Sequence, residues 1–167
     1  MIRTAIVTVS DSAVAGTRED RSGPALETRV NELGWTVSAR KLLPDEIQDI
    51  AAALIQLCDS GDVDVVLTTG GTGLAPRDVT PEAAGAVAHR EVPGFGELMR
   101  AEGRKSTKFA SLSRGVAVTR GKTLILTLPG SPRGAVDSLN AVADLIPHAV
   151  DLLHGRTEHS QTSTNTK

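Results

Sequence analysis

The chain has 167 residues, of which 40% are hydrophobic and 23% charged, and its formal net charge is −2. These values fit one globular domain, exclude global disorder and argue against a nucleic-acid-binding protein, which normally carries a basic excess. The single cysteine, Cys58, excludes an internal disulfide and a cysteine metal cluster. The sequence shows no signal-peptide pattern, and no apolar run approaches the roughly 20 residues of a membrane helix, so we expect a cytoplasmic protein.

Strand and helix patterns alternate along the chain. In chain order the sequence predicts a strand over residues 2–9, a helix from 23 to 33, a strand over 35–43, a helix from 44 to 60, a strand over 63–69, helices over 81–90 and 95–104, strands over 115–119 and 123–128, and a final helix from 132 to 153 with a kink at Pro147. This order is typical of an α/β protein with a mostly parallel sheet and helices on both faces. We expect one domain over residues 1–155 and a disordered tail over residues 156–167, which has no apolar residue.

Local signals place several helix starts. Asp45 followed by Gln48 resembles a capping box, in which the first side chain caps the helix. Thr80 before Pro81, and Ser131 before Pro132, combine an N-cap residue with a proline in the first turn.

The carboxyl ends of parallel strands are where open α/β sheets bind ligands. Four segments follow predicted strands and should therefore face one cleft: Ser10-Asp11-Ser12, Pro44-Asp45, residues 70–80 and Pro129-Gly130-Ser131-Pro132. They contain most of the unusual residues of the chain, so we expect the function to reside there.

The segment Gly70-Gly71-Thr72-Gly73 is the sharpest local feature. Three glycines in four positions allow backbone N–H groups to approach an anion closely. The spacing matches neither the P-loop nor the dinucleotide-binding fingerprint. A phosphate-binding loop and a simple tight turn are both compatible with this pattern.

Two carboxylates, Asp45 and Asp78, would repel an anionic ligand in such a cleft unless a cation lay between them. Mg²⁺ favours one or two carboxylates together with substrate phosphates. Asp45 could instead cap its helix, and Asp78 could hold its own loop by accepting backbone N–H groups. Arg77 could face either phosphate or solvent.

The remaining cleft segments have structural alternatives too. Ser10-Asp11-Ser12 could bind a ligand or only end the first strand, and Ser131 could simply cap its helix. We expect the four histidines to be surface groups, and no Ser-His or Cys-His pair indicates a nucleophile. A reaction in which a substrate phosphate attacks a nucleotide phosphorus needs no such pair, because its nucleophile is already ionised.

These loops together match a known family. The matching segments are Ser10-Asp11-Ser12, Asp20-Arg21-Ser22-Gly23-Pro24, Pro44-Asp45-Glu46, Thr69-Gly70-Gly71-Thr72-Gly73, residues 77–83, Pro93-Gly94, Leu112-Ser113-Arg114 and residues 128–132. The composite covers about residues 4–154 and resembles the Mog and MoaB-type molybdenum cofactor proteins and the G domain of gephyrin.

The resemblance implies a three-layer αβα sandwich that assembles as a homotrimer. Adenylyltransferase members use ATP and Mg²⁺ to transfer AMP to the terminal phosphate of molybdopterin, release pyrophosphate, and pass the product to a molybdate-inserting enzyme. By this resemblance Asp45 and Asp78 are catalytic and hold Mg²⁺. The residues it leads us to expect at ATP or molybdopterin are Ser10, Asp11, Ser12, Ser22, Gly23, Gly70, Gly71, Thr72, Gly73, Ser113, Pro129, Gly130 and Ser131.

Two other functions stay open at this point. The chain could be a non-catalytic molybdopterin-binding carrier or scaffold, which its short length allows and the two retained aspartates oppose. It could also be a nucleotide-binding domain with another substrate, although the continuous set of motifs counts against this.

Overall fold

The computed structural model describes residues 1–156, which form one six-stranded sheet with helices packed on both faces. Its strands are β1 (Arg3–Val9), β2 (Thr36–Leu43), β3 (Val65–Thr69), β4 (Arg90–Glu91), β5 (Ala117–Arg120) and β6 (Thr123–Leu128). The order across the sheet is β2-β1-β3-β6-β5-β4. Strands β1, β2, β3 and β6 are parallel, whereas β5 pairs antiparallel with β6 and β4 antiparallel with β5. The predicted α/β class and mostly parallel sheet are confirmed.

The helices of residues 1–156 connect these strands. They are α1 (Asp11–Val14), α2 (Ser22–Glu32), α3 (Ile47–Asp59), α4 (Thr80–Val87), α5 (Pro93–Gly103), a 3-10 helix (Lys108–Leu112), α6 (Pro132–Val142) and α7 (Ile146–Leu153). The predicted final helix is interrupted by a turn over residues 143–145 rather than only kinked at Pro147. Arg156, the first residue of the predicted tail, donates a 2.8 Å hydrogen bond to Asp151, and the rest of that prediction lies outside the described residues.

Alternating side chains of the central strands build two apolar layers. Val65 and Leu67 of β3 pack with α2, α5, α6 and α7, whereas Val66 packs with α3 and α4. All three side chains are fully buried, and each contributes about 1.5–3 kcal/mol by leaving water. Burial on both faces explains why the sequence of β3 does not alternate between apolar and polar residues. The parallel pairing of β1, β2, β3 and β6 places the carboxyl ends of these strands at one edge.

Three sequence expectations about local structure are wrong or incomplete. Residues 11–14, for which the sequence predicts no helix, form the short helix α1, in which Ser10 caps the N-terminus by accepting from Ala13 N–H. The two-residue strand β4 was not predicted, because two residues show no periodicity. Thr80 does not cap α4; its hydroxyl donates to the Gly70 carbonyl at 2.8 Å.

Asp64 lies at the opposite end of the sheet from the predicted cleft. Its buried carboxylate accepts hydrogen bonds from the Arg3 backbone and guanidinium at 2.8–3.2 Å. His154 Nε2 is 3.1 Å from the same carboxylate, so His154 is not the surface group the sequence suggested. Burial opposes ionisation of Asp64, but the hydrogen bonds from Arg3 outweigh it and lower the pKa of this carboxyl.

Asp64→Asn should destabilise the fold in a pH-dependent way. A lowered pKa means that the carboxylate stabilises the protein above its ordinary pKa, and that this contribution is lost as the pH falls through the folded-state value. We expect a loss of about 2 kcal/mol in the free energy of unfolding at pH 7, where charge-assisted hydrogen bonds are removed. Urea denaturation at pH 7 and pH 3 measures this, and an equal loss at both pH values would contradict the pairing.

Cys58 is buried in the layer formed by α3 and α4. Burial raises the pKa of its thiol to about 11, so the thiol stays protonated and behaves as a small apolar group. Within residues 1–156, no helix combines the length and apolar character that crossing a bilayer requires.

Candidate functional site

A cavity of about 720 Å³ opens at the carboxyl edge of the sheet, a size typical of small-molecule sites. Its walls come from the loop after β3, from α5 with the segment between α5 and β5, and from the loop and helix after β6. Eight of the lining residues are ones that the sequence predicted at the site: Gly71, Thr72, Gly73, Asp78, Ser113, Pro129, Gly130 and Ser131. Two of the predicted cleft segments, Gly70–Thr80 and Pro129–Pro132, therefore reach one cavity.

In the glycine-rich loop over residues 70–73, the backbone carbonyls are hydrogen-bonded within the protein, whereas three backbone N–H groups are not. Its four carbonyls all accept protein donors: Gly70 from the Thr80 hydroxyl, Gly71 from Thr80 N–H, and Thr72 and Gly73 from Arg114. By contrast, the N–H groups of Gly71, Thr72 and Gly73 have no acceptor among residues 1–156. The loop thus has its acceptors satisfied and three donors left over beside a cavity, which is the arrangement that an anion requires.

Gly70 lies against the end of β1. Its φ of 103° is a conformation that L side chains rarely adopt, and a Cβ on Gly70 would overlap the Val9 carbonyl oxygen. Its N–H donates to Leu128 O at 3.1 Å, so Gly70 joins the ends of β1, β3 and β6 and its own N–H is not left for a ligand.

Gly70→Ala should therefore lower the free energy of unfolding by about 3 kcal/mol or more, from strain at positive φ together with the overlap. Chemical denaturation measures the effect. Gly85→Ala is the matched control, because nothing lies within 4 Å of a Cβ there and the helix gains propensity. Equal stability of the two variants would contradict this account.

Asp45 does not cap its helix, so the capping alternative is wrong. The backbone is extended at Glu46 and α3 begins at Ile47, with no side-chain cap hydrogen bond. Instead Asp45 and Asp11 exchange hydrogen bonds: Asp45 Oδ2 accepts from Asp11 N–H at 2.8 Å, and Asp45 N–H donates to Asp11 Oδ1 at 3.0 Å. The exchange holds Asp45 at the carboxyl edge of the sheet.

The second oxygen of Asp45 faces the glycine loop. Asp45 Oδ1 lies 3.2 Å from where a Cβ on Gly71 would be, and it has no hydrogen-bond donor among residues 1–156. Partial burial raises the pKa of the Asp45 carboxyl, and the negative charges of Asp11 and Asp78 raise it further against the hydrogen bond from Asp11 N–H and the charge of Arg77. The site therefore concentrates negative charge that a cation would neutralise.

Asp78 lines the cavity beside the glycine loop. Its Oδ2 accepts from Ala75 N–H at 3.0 Å and lies 2.7 Å from where a Cβ on Gly73 would be. Its other oxygen has no donor in the described chain. Asp78 thus does hold its own loop, as one alternative proposed, while keeping an oxygen for another partner.

The carboxylate pair fits a hard divalent cation in its chemistry. Asp45 and Asp78 lie close enough for their charges to interact, and each keeps one oxygen without a protein donor. Mg²⁺ typically takes one or two carboxylates and completes its shell with water and phosphate oxygens. The described residues contain no cluster of three or more His, Cys, Asp or Glu side chains suited to a metal, so phosphate oxygens and water would complete the shell.

Arg77 is 57% exposed to solvent, as one of its two alternatives proposed, but its guanidinium is also bound by protein groups. Its guanidinium donates to Asp11 Oδ2 at 2.6 Å, to Glu46 Oε1 at 2.8 Å and to the Asp45 carbonyl at 3.2 Å. These hydrogen bonds lower the pKa of Asp11 and raise that of Arg77. Arg77 therefore ties the loop after β3 to the loop after β2, and Asp11 is engaged in that link.

The structure separates the predicted contact residues into two groups. Gly71, Thr72, Gly73, Ser113, Pro129, Gly130 and Ser131 line the cavity. Ser10, Asp11, Ser12, Ser22, Gly23 and Gly70 do not. Ser10 caps α1, while Ser22 and Gly23 are buried at the start of α2, where both donate to Asp20.

Ser131 caps α6 as predicted, because its hydroxyl accepts from Gly134 N–H at 3.1 Å. The same cavity wall includes Arg100, Phe109 and Arg133, which the sequence did not single out. They come from α5, the 3-10 helix and α6, and no motif marks them. Phe109 is 65% exposed at the cavity, whereas the other phenylalanine of the chain, Phe95, is buried.

The residues that form this cavity lie within a domain shared with known proteins. A family described as "Probable molybdopterin binding domain" matches residues 5–148, which include all three cavity walls. The chain belongs to this family. The resemblance to the Mog and MoaB-type molybdenum cofactor proteins, predicted from the loop motifs, is thereby confirmed.

Relatives in the molybdopterin binding domain family match nearly the full chain. A protein of Helicobacter pylori named molybdopterin adenylyltransferase is 42% identical over 156 residues, covering 92% of this chain and 89% of that protein. The molybdopterin adenylyltransferase of Escherichia coli K12 is 40% identical, covering 92% and 86%. The structure of the molybdopterin biosynthesis enzyme MoaB from Thermus thermophilus superposes with a TM-score of 0.88 at 49% identity, covering 93% and 98%.

Proposed function

We propose that this protein is a nucleotidyltransferase of molybdenum cofactor biosynthesis, which transfers AMP from ATP to the terminal phosphate of molybdopterin. Relatives at about 40% identity over most of the chain carry the name of that activity. The observation that carries the proposal is the pairing of a loop with three unengaged N–H donors and two carboxylates at the same edge. A phosphate chain with its cation matches both features at once.

The reaction requires one bond to form and one to break. An oxygen of the molybdopterin phosphate attacks the α-phosphorus of ATP, and the bond from that phosphorus to the bridging oxygen breaks and releases pyrophosphate. The attacking oxygen is already ionised, so no side chain has to remove a proton. The protein contributes by holding the reactants in line and by meeting the developing negative charge with N–H donors.

The residues that line the cavity, together with Asp45, have three proposed roles. The N–H groups of Gly71, Thr72 and Gly73 bind phosphate oxygens, and the α6 N-terminus beginning at Ser131 faces the same cavity with its positive end. Asp45 and Asp78 would hold Mg²⁺, which when bound to ATP neutralises phosphate charge. Ser113, Pro129 and Gly130 shape the cavity.

Asp45 does not line the cavity itself, but its free oxygen faces Gly71, which does. The six predicted contact residues outside the cavity act through others in this proposal. Asp11 positions Asp45 through their exchanged hydrogen bonds, and Ser10 and Ser12 form the start of α1 that presents Asp11 N–H. Ser22, Gly23 and Gly70 stabilise the ends of β1 and β3. None of these six is needed as a direct ligand.

The proposed cellular setting follows from the proposed product. Adenylylated molybdopterin would be consumed by a molybdate-inserting enzyme, and we place the reaction in the cytoplasm. By the family resemblance, we propose a homotrimer, which light scattering of the purified protein would test.

The test is an assay for pyrophosphate release with purified protein, molybdopterin and MgATP. We expect pyrophosphate to appear only when all three are present, together with an equal amount of adenylylated molybdopterin. Binding of molybdopterin without pyrophosphate release would instead identify a carrier. Binding of nucleotide with no effect of the pterin would point to another substrate.

A further inference from the structure

Arg114 lies behind the glycine-rich loop, between the 3-10 helix and β5, and it does not line the cavity. Its backbone N–H donates to Thr72 O at 2.8 Å. Its guanidinium donates to Gly73 O at 2.8 Å and to Asp78 O at 2.7 Å. One residue therefore satisfies three carbonyls of the loop that carries the free N–H donors and the Asp78 carboxylate.

Anion binding requires the carbonyls of the glycine loop to be held away from the anion, and Arg114 holds two of these four carbonyls, Thr72 O and Gly73 O. A peptide carbonyl facing a phosphate is repulsive, and rotating one peptide plane exchanges an N–H for a C=O at the same surface. Each carbonyl shares its peptide plane with the N–H of the next residue. Thr80 therefore holds the planes that carry the N–H groups of Gly71 and Thr72, and the backbone N–H of Arg114 holds the plane that carries the N–H of Gly73. The Arg114 guanidinium holds the following plane through Gly73 O, and so fixes the end of the glycine loop. The bond to the Asp78 carbonyl fixes the backbone from which the carboxylate projects.

Arg114 is itself anchored from the other side. Glu82 in the first turn of α4 accepts hydrogen bonds from both terminal nitrogens of the guanidinium. The hydrogen bond to Glu82 raises the pKa of Arg114 and lowers that of Glu82, so both groups stay charged. The guanidinium thus connects a rigid helix to the loop through a planar set of donors that lysine does not possess.

We propose that Arg114 is a positioning residue for phosphate binding and transfer: it sets the peptide orientation of the glycine loop and the place of Asp78 without touching the substrate. This inference rests on the proposed function for its catalytic part. Its binding part stands apart from that function, because a simple anion reports on the loop directly.

Arg120 provides a matched control. Its guanidinium also pairs with a carboxylate, Asp59, at 2.9–3.0 Å, and also donates to a backbone carbonyl, Val87 O, at 3.2 Å. Its side chain is 20% exposed compared with 34% for Arg114, and it does not line the cavity. Arg114→Ala and Arg120→Ala therefore remove similar structural contacts, but only the first removes contacts to the glycine loop.

The first measurement is calorimetric titration of each variant with pyrophosphate alone. We expect Arg114→Ala to bind pyrophosphate about tenfold more weakly than wild type, because misaligned donors lose the equivalent of a charge-assisted hydrogen bond. Arg120→Ala should bind within about twofold of wild type. Equal affinities of the two variants would overturn the proposal, whether or not the protein proves to transfer AMP.

The second measurement is steady-state AMP transfer, with Arg114→Lys included in case the alanine variant folds poorly. Lysine keeps the charge near Glu82 but cannot reach Gly73 O and Asp78 O at once, so kcat/KM should fall by about 100-fold, against about twofold for Arg120→Ala. Added guanidinium chloride at low concentration should partly restore Arg114→Ala and leave Arg120→Ala unchanged. A wild-type kcat/KM in Arg114→Lys would overturn the positioning role, whereas inactivity of the wild type would fault only the proposed function.

Discussion

Asp78→Asn should lower kcat/KM for AMP transfer by about 10²–10³-fold while leaving the fold intact, the loss expected when one preorganised charge is removed from a phosphoryl-transfer site. Asparagine keeps an oxygen that can accept from Ala75 N–H, so the loop contact is preserved. The variant loses only the negative charge beside the phosphates. Pyrophosphate release with saturating molybdopterin and MgATP measures the effect.

Asp59→Asn is the appropriate control for Asp78→Asn. Asp59 also loses a charge in this variant, but its partner is Arg120 and neither residue lines the cavity. We expect Asp59→Asn to retain its kcat/KM within about twofold, even though it gives up a solvent-screened ion pair. If Asp78→Asn retained the activity of wild type, or if both variants lost it equally, Asp78 would have no role in the transfer.

The sequence predicts the sheet and most helices of this fold because those features depend on local patterns. The run over Val65–Thr69 is buried at every position and consists of three apolar residues followed by two threonines, a β-branched-rich pattern typical of a central strand. Helix α6 starts where Ser131 and Pro132 indicate. Once these elements are placed, the rule for parallel sheets brings Gly71, Asp78 and Pro129 to one edge. The cavity was therefore predictable in position, although not in its walls.

The environment of Asp45 shows where local patterns fail. Asp45 followed by Gln48 satisfies the spacing of a capping box, yet the helix begins two residues after Asp45, and the carboxylate binds Asp11 N–H, 34 residues away in sequence. The same holds for Arg77, whose partners Asp11 and Glu46 lie in two other loops. Contacts between loops at the sheet edge depend on tertiary geometry, and no periodicity within one segment reports them.

Arg114 illustrates a third case, in which the motif was visible and its meaning was not. Leu112-Ser113-Arg114 matches the family pattern, and the sequence directed attention to Ser113 as a ligand contact. The structure places Ser113 in the cavity wall and gives the guanidinium of Arg114 the carbonyls of Gly73 and Asp78. A basic residue next to a phosphate site is easily taken for a phosphate ligand, but here it orders the backbone that provides the ligands.

Asp45→Asn should separate activity from stability more clearly than any other substitution in the site. Burial and the neighbouring charges of Asp11 and Asp78 raise the pKa of Asp45, so the folded protein holds an ionised carboxylate less favourably than the unfolded chain does. Asparagine can still accept from Asp11 N–H and carries no charge. We therefore expect AMP transfer to fall by about 10²-fold or more while Tm at pH 7 rises by a few degrees.

The difference in Tm between Asp45→Asn and wild type should depend on pH, and the direction of that dependence tests the raised pKa of Asp45. Because the folded-state pKa is raised, the cost of ionising Asp45 is present above that value and disappears when the pH falls below the ordinary carboxyl pKa, where both states are protonated. The Tm advantage of the variant should therefore shrink as the pH is lowered from 7 to 3, the opposite of the trend expected when Asp64 loses its charge. A Tm that falls in Asp45→Asn at pH 7 would mean that Asp45 is a stabilising residue of the loop, and its place beside Asp78 would need another explanation.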